Sequence, residues 1–238
     1  GLFGDVIEEI DWSVGEITKA LARHKLDERT LVIFNADNGP WLNYGDHAGS
    51  AGPLREGKGT SWEGGVREPC IARWTGVIPA GAKTSEPAMT IDLLPTIARL
   101  SGARLPEHKI DGLDVWPLLA AEPGAKNPHE AYFIYYADNE LQAVTSGPWK
   151  LVLPHTYRTL AGRPGGRDGR PVNYEQRKVT EPELYNLDAD IGEAHNVAAE
   201  NSEVVARLLA LAETSRAELG DSLTGRKGAG VREPGRVA

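Results

Sequence analysis

Residues 30–67 read TLVIFNADNGPWLNYGDHAGSAGPLREGKGTSWEGGVR. The opening run, Leu31-Val32-Ile33-Phe34, is apolar and rich in β-forming residues, and it predicts a buried strand. It stops at Asp37-Asn38-Gly39-Pro40, a cluster of turn formers. In open α/β sheets, ligands gather at the carboxyl ends of strands. Asp37 and Asn38 at that place offer hard oxygen donors to a cation such as calcium or magnesium. The same residues also make an ordinary Asx turn, in which the side chain bonds its own backbone. Lys58 comes twenty residues after Asn38, between Gly57 and Gly59 and ahead of Glu63-Gly64-Gly65. Glycines admit close backbone approach, and a lysine among them presents a point charge to an oxyanion. Alone, such a lysine is a solvated loop charge. The combination of strand, Asp-Asn pair, Gly-Lys-Gly and Glu-Gly-Gly is what gives the stretch chemical meaning.

Upstream, Val6, Ile10, Val14, Ile17 and Leu21 recur at helical spacing and predict a helix over 4–25 with one apolar stripe. Asp5 suits its start, and Arg23, His24 and Lys25 suit its negative C-terminal end. The stripe is expected to pack on a sheet, with His24 a helix-end cation. A helix feeding a buried strand is half of a βαβ unit and implies a parallel sheet. Downstream, Cys70 to Trp74 predicts a second strand, with Cys70 a buried small hydrophobe. The long loop between the strands is of a length usually reserved for function. It holds His47, which could bond an anion or a metal and could equally be a solvated loop residue.

Met89 to Ser101 predicts a helix with Pro95 in its first turn and Gly102 as its stop, and Asp92 reads as a cap rather than a catalytic acid. A polar linker, 123–128, marks a boundary. Beyond it, 131–136, 141–145, 149–153 and 184–187 predict strands of a small antiparallel sheet, and 201–219 predicts one helix capped by Asn201 or Ser202. The Gly- and charge-rich residues 161–179 read as a loop, and 225–238 as an irregular tail.

The stretches TLVIFNADNGP and GPLREGKGTSWEGGVREP, continued by Ile91-Asp92-Leu93-Leu94-Pro95-Thr96, Ile110-Asp111-Gly112, Pro117-Leu118-Leu119 and Leu184-Tyr185-Asn186-Leu187, resemble the arylsulfatases of the alkaline phosphatase-like superfamily. The resemblance covers nearly the whole chain. It implies an α/β fold: part of a mixed or parallel sheet with flanking helices, plus a small C-terminal antiparallel sheet with one helix. It divides the chain into 1–122, the C-terminal half of a catalytic domain, and 129–224, a small subdomain. It implies that Asp37 and Asn38 are two ligands of an active-site calcium, with magnesium possible, and that Lys58 contacts the sulfate group. In some related sequences a histidine stands near the place of His47, a loose match that makes it a candidate substrate contact. The substrate is expected to be a small-molecule or carbohydrate sulfate ester. The compartment expected from the family is periplasmic, secreted or lysosomal.

Two family features are absent from these residues: the Cys/Ser-x-Pro-Ser-Arg motif, whose first residue becomes formylglycine, and an early Asp pair that completes the metal site. Cys70, in Pro69-Cys70-Ile71-Ala72-Arg73, does not fit that motif. The chain therefore reads as the C-terminal portion of a longer enzyme, and the 238 residues alone are expected to be inactive. The superfamily also holds phosphodiesterases and phosphonate monoester hydrolases, and a non-catalytic binding remnant is the further alternative. The net charge of −8 argues against a nucleic-acid partner. No apolar run approaches the ~18 residues needed to span a bilayer.

Overall fold

The computed structural model describes residues 1–233. By compactness the chain divides into two units. One comprises Gly4–Asn35 and Pro69–His129; the other comprises Gly1–Phe3, Ala36–Glu68 and Glu130–Ala238. Nearness in sequence and nearness in space part company here, because residues 36–68 join the C-terminal unit.

In the first unit, helix α1 (Leu2–Arg23) precedes strand β1 (Val32–Asn35), which pairs with β2 (Cys70–Arg73). The helix forms where its periodicity predicts, but no residue of it is buried, and Val6, Ile10 and Ile17 are exposed. The expected packing on a sheet is thus corrected. The strands paired in this unit are a two-stranded ribbon with no broad face to receive a helix. The parallel sheet is corrected too. β1 and β2 run antiparallel, Val32 opposite Arg73 and Asn35 opposite Cys70, because the segment between them reverses the chain. β1 is half-buried at best rather than buried, and Cys70 is exposed rather than a core residue. Edge residues of a narrow ribbon have no second layer over them.

Helix α3 (Leu93–Ser101) begins as expected with Pro95 in its first turn and ends at Gly102, which adopts φ 70°. The Asp92 side chain is fully buried. It accepts the Met89 N–H at 2.8 Å and the Leu113 N–H at 3.0 Å, and lies 2.6 Å from His129 Nε2. It thus braces the turn that precedes α3, while α3 itself has no side-chain cap. A short helix, α4 (Trp116–Leu119), follows.

In the second unit a one-turn helix, α2 (Glu63–Val66), lies in the loop segment. The main sheet has the order β3 (Tyr132–Tyr136), β4 (Glu140–Ser146), β5 (Trp149–Val152), β8 (Glu183–Asn186), all antiparallel. Helix α5 (Ser202–Leu219) covers one face through Leu208 and Ala212, which join Leu141, Val144, Leu151 and Leu184 in a dry core. This is the small antiparallel sheet with one helix that the alternation predicts. No side chain caps α5, contrary to expectation: the Asn201 amide donates instead to the Val197 carbonyl at 2.9 Å.

A ribbon of β6 (His155–Thr159) and β7 (Glu175–Val179) was hidden in the sequence. β7 reads EQRKV and is exposed except for Val179, so its charge masked a strand inside what reads as a loop. Residues 225–233 are not loose: the Ala229 and Gly230 N–H groups donate to the Ala217 and Glu218 carbonyls. The last five residues of the expected tail lie outside the described residues.

Candidate active site

The loop segment 36–68 folds back on itself through its glycines. The Gly39 N–H donates to the Gly65 carbonyl at 3.2 Å, and the Lys58 N–H donates to the Pro40 carbonyl at 3.0 Å. A Cβ on Gly39 would lie 1.8 Å from the Gly64 carbonyl oxygen, and one on Gly57 would lie 2.4 Å from that of Pro40. Two backbones therefore touch where side chains would hold them apart. The effect is to seat the Asp37-Asn38 turn and the Gly57-Lys58-Gly59 turn side by side. The Lys58 ammonium lies 5.2 Å from the centre of the Trp41 ring, within cation–π range.

Asp37 is exposed and Asn38 half-buried. Next to Asp37 stands Glu68, which no reading of the sequence singled out. Burial raises the Glu68 carboxyl, and the Asp37 charge raises it further. Glu68 Oε1 is buried and has no hydrogen-bond partner. Two carboxylates close enough to feel each other's charge, one with an orphaned oxygen, are a donor set that suits a hard cation. Asp37 and Asn38 fit the calcium that the resemblance implies. Among the described residues no group of three or more His, Cys, Asp or Glu is placed to hold a metal ion. His47 is not brought to Lys58 by any contact among the described residues. Its Nε2 lies 3.8 Å from Asp46, at the end of a short helical turn, Leu42–His47.

The loop is held from beneath by the sheet. Trp62 is fully buried, with the Arg55 guanidinium 3.5 Å above its ring and Tyr157 and Tyr185 edge-on at 5.5 and 5.7 Å. Next to it, Lys150 of β5 is fully buried, its Nζ 2.9 Å from both Glu63 and Glu193. The Glu63 N–H donates to Glu193 Oε2 at 2.7 Å, and Arg67 Nε donates to Glu63 Oε2 at 2.6 Å. Burial pushes the Glu63 carboxyl up, but Lys150 and Arg67 outweigh it and hold Glu63 below the usual carboxylate range. Glu193, with less cationic company, is pushed up by its burial. These anchors come from residues up to 130 positions away along the chain, and no local signal marks them.

The same residues carry the chain's kinship. The sulfatase family profile matches residues 2–103, and the profile for the C-terminal region of aryl-sulfatase matches residues 127–227. The chain belongs to the sulfatase family. Human arylsulfatase A is 41% identical over 204 residues, which cover 83% of this chain and 39% of that protein. Among solved structures, the PsFucS1 sulfatase from Pseudoalteromonas sp. superposes with a TM-score of 0.77 at 28% identity, over 90% of this chain and 42% of that one. A sulfatase described with the metabolism of multiple glycosaminoglycans by Bacteroides thetaiotaomicron superposes at 0.70 with 29% identity, over 90% and 44% of the two chains. This sulfatase chain thus spans about two fifths of the length of the relatives it matches, and its fold is the alkaline phosphatase-like one.

Proposed function

We propose that these residues form one wall of a site that hydrolyses sulfate esters. The observation that carries this is the hydrogen bond from the Lys58 N–H to the Pro40 carbonyl, which joins the Lys58 turn to the Asp37-Asn38 turn. One turn offers oxygen donors for a cation and the other a cation for an oxyanion, and a sulfate ester at the point of cleavage needs both. Residues 1–122 then supply half of the catalytic domain and residues 129–224 the small subdomain.

Asp37 and Asn38 would hold a calcium ion, which when bound neutralises sulfate charge and polarises the ester. Lys58 binds sulfate oxygens and stabilises the charge that grows on them as the S–O bond breaks. Its ammonium keeps three donors for this purpose, since the Trp41 ring satisfies it through its π face without taking a hydrogen. Cys70 does not fit the formylglycine motif. A formylglycine supplied by other residues of the enzyme completes the site. The substrate is a small-molecule or carbohydrate sulfate ester; the similarity to a protein tied to glycosaminoglycan metabolism supports the carbohydrate class.

The test is turnover by the complete native enzyme on paired sulfate and phosphate esters of one alcohol, with and without a calcium chelator. Chelator-sensitive sulfate release, lost in Lys58→Ala and Asp37→Ala, is the expected result. Preference for the phosphate ester would move the enzyme to the phosphodiesterase and phosphonate hydrolase branch. Full activity of Lys58→Ala would sink the assignment of Lys58.

A further inference from the structure

The hairpin ribbon β6–β7 reaches Lys58 in two ways. Arg158, in β6, donates from Nε at 3.0 Å and from Nη2 at 2.5 Å to the Lys58 carbonyl oxygen. That carbonyl is thereby held by one planar fork, while the N–H of the same residue is held by Pro40 at 3.0 Å. The peptide groups on either side of the Lys58 α-carbon are both fixed. Gly59 makes this possible. It adopts φ +82°, and a Cβ there would lie 2.2 Å from Arg158 Nη2, so the guanidinium fills the space a side chain would need. The two glycines flanking Lys58 have separate tasks: Gly57 admits the Pro40 carbonyl, and Gly59 admits Arg158.

The second route runs to the head of the lysine. The Arg158 guanidinium lies 4.9 Å from the centre of the Tyr174 ring, just before β7. The Tyr174 hydroxyl accepts the Asn43 N–H at 3.2 Å, and the Asn43 amide donates to the Val172 carbonyl at 2.9 Å. Asn43 is two residues from Trp41, whose ring faces the Lys58 ammonium. One ribbon thus fixes both the backbone of Lys58 and the aromatic plate beside its charge.

We infer that Arg158 is a positioning residue for Lys58, aided by Tyr174, and acts on the reaction only through that lysine. This rests on the reading of Lys58 as the sulfate-contacting group. A donor fork is required, because a single ammonium at position 158 would hold the carbonyl from one point and leave the peptide free to rotate. Displacement of a reacting group by about 1 Å is enough to lower a rate by about 100-fold.

The test uses the complete native enzyme with Arg158→Lys, Arg158→Gln and Tyr174→Phe, each alone and with Lys58→Ala, and with kcat counted per folded molecule. The expected result for the Arg158 variants is a fall in kcat of about 10- to 100-fold with KM little changed. Arg158→Lys should recover little of the loss. Tyr174→Phe should show a smaller fall of the same kind. In the Lys58→Ala background the further loss should vanish, since two residues acting as one unit are not additive. Unchanged kcat per folded molecule in the Arg158 variants, or a loss that persists undiminished without Lys58, would overturn the inference. If the Arg158 variants do not fold, Tyr174→Phe decides it: an unchanged kcat then counts against. Full activity of Lys58→Ala alone is a separate outcome and refutes the role of Lys58 itself.

Discussion

Lys150 Nζ lies 2.9 Å from Glu63 Oε1, and neither side chain sees solvent to any useful extent. Replacing Lys150 by Met fills the same space with no charge and strands the two carboxylates of Glu63 and Glu193 against each other. Breaking a buried pair from one side costs about 3–5 kcal/mol. Urea denaturation of Lys150→Met should show a loss of that size. A loss under about 1 kcal/mol would mean that water reaches the carboxylates once the lysine is gone.

His155 carries a pH signature. Burial is the first cause of its lowered pKa, outweighing the Leu153 carbonyl 2.7 Å from Nδ1 that favours the charged form. The folded state therefore holds the ring neutral, while the unfolded chain protonates it below about 6.5. Its contribution to stability is full above that value and is lost as pH falls from there through the lower folded value. Melting temperature should decline between pH 7 and pH 5, and His155→Gln should flatten that decline. An identical slope in both proteins would show that other groups set it.

Gly39→Ala drives a methyl group into the Gly64 carbonyl, 1.8 Å from where its Cβ must go. Both neighbours are backbone, so neither can swing aside. Overpacking of this kind costs about 1–3 kcal/mol. The displaced turn carries Asp37 and Asn38, so the calcium concentration needed for half-maximal activity of the complete enzyme should rise as well. A variant with lowered stability and unchanged calcium dependence would separate the turn from the cation.

The apolar stripe of α1 makes the isolated 238-residue polypeptide prone to self-association. Val6, Ile7, Ile10 and Ile17 are exposed along one helix. Contiguous apolar surface of that kind drives association. Light scattering should show oligomers that disperse when these positions are made polar. A monodisperse monomer of the unaltered polypeptide would contradict this.

Much of the candidate site is local in sequence. The Asp37-Asn38 turn, Lys58 between its glycines and the Glu-Gly-Gly step all lie within one stretch, and their residue types state their chemistry. The strands of the C-terminal sheet and helix α5 were legible from period alone. What periodicity does not report is the partner. It placed an apolar face on α1 correctly but gave it a sheet to pack on, whereas no residue of the helix is buried. It implied a parallel neighbour for β1, whereas the chain supplies β2 in the opposite direction. Arg158, Lys150, Glu193 and Glu68 were missed for one reason. Each looks like a surface charge, and only contacts across 30 to 130 residues of chain give it a task. β7 was missed because a charged ribbon strand has no apolar alternation to display.

The membership of residues 36–68 in the C-terminal unit has a consequence for how the enzyme is made. The ribosome delivers that loop before Lys150, Arg158 and Glu193, which hold it and follow about ten seconds later at roughly 5–20 residues per second. Until they emerge, the Asp37-Asn38 turn and Lys58 have no scaffold. The loop therefore takes its native shape only once these residues of the C-terminal unit are in place, and a cut in the C-terminal sheet releases it. A nascent or clipped chain carries the residues of the loop without its shape.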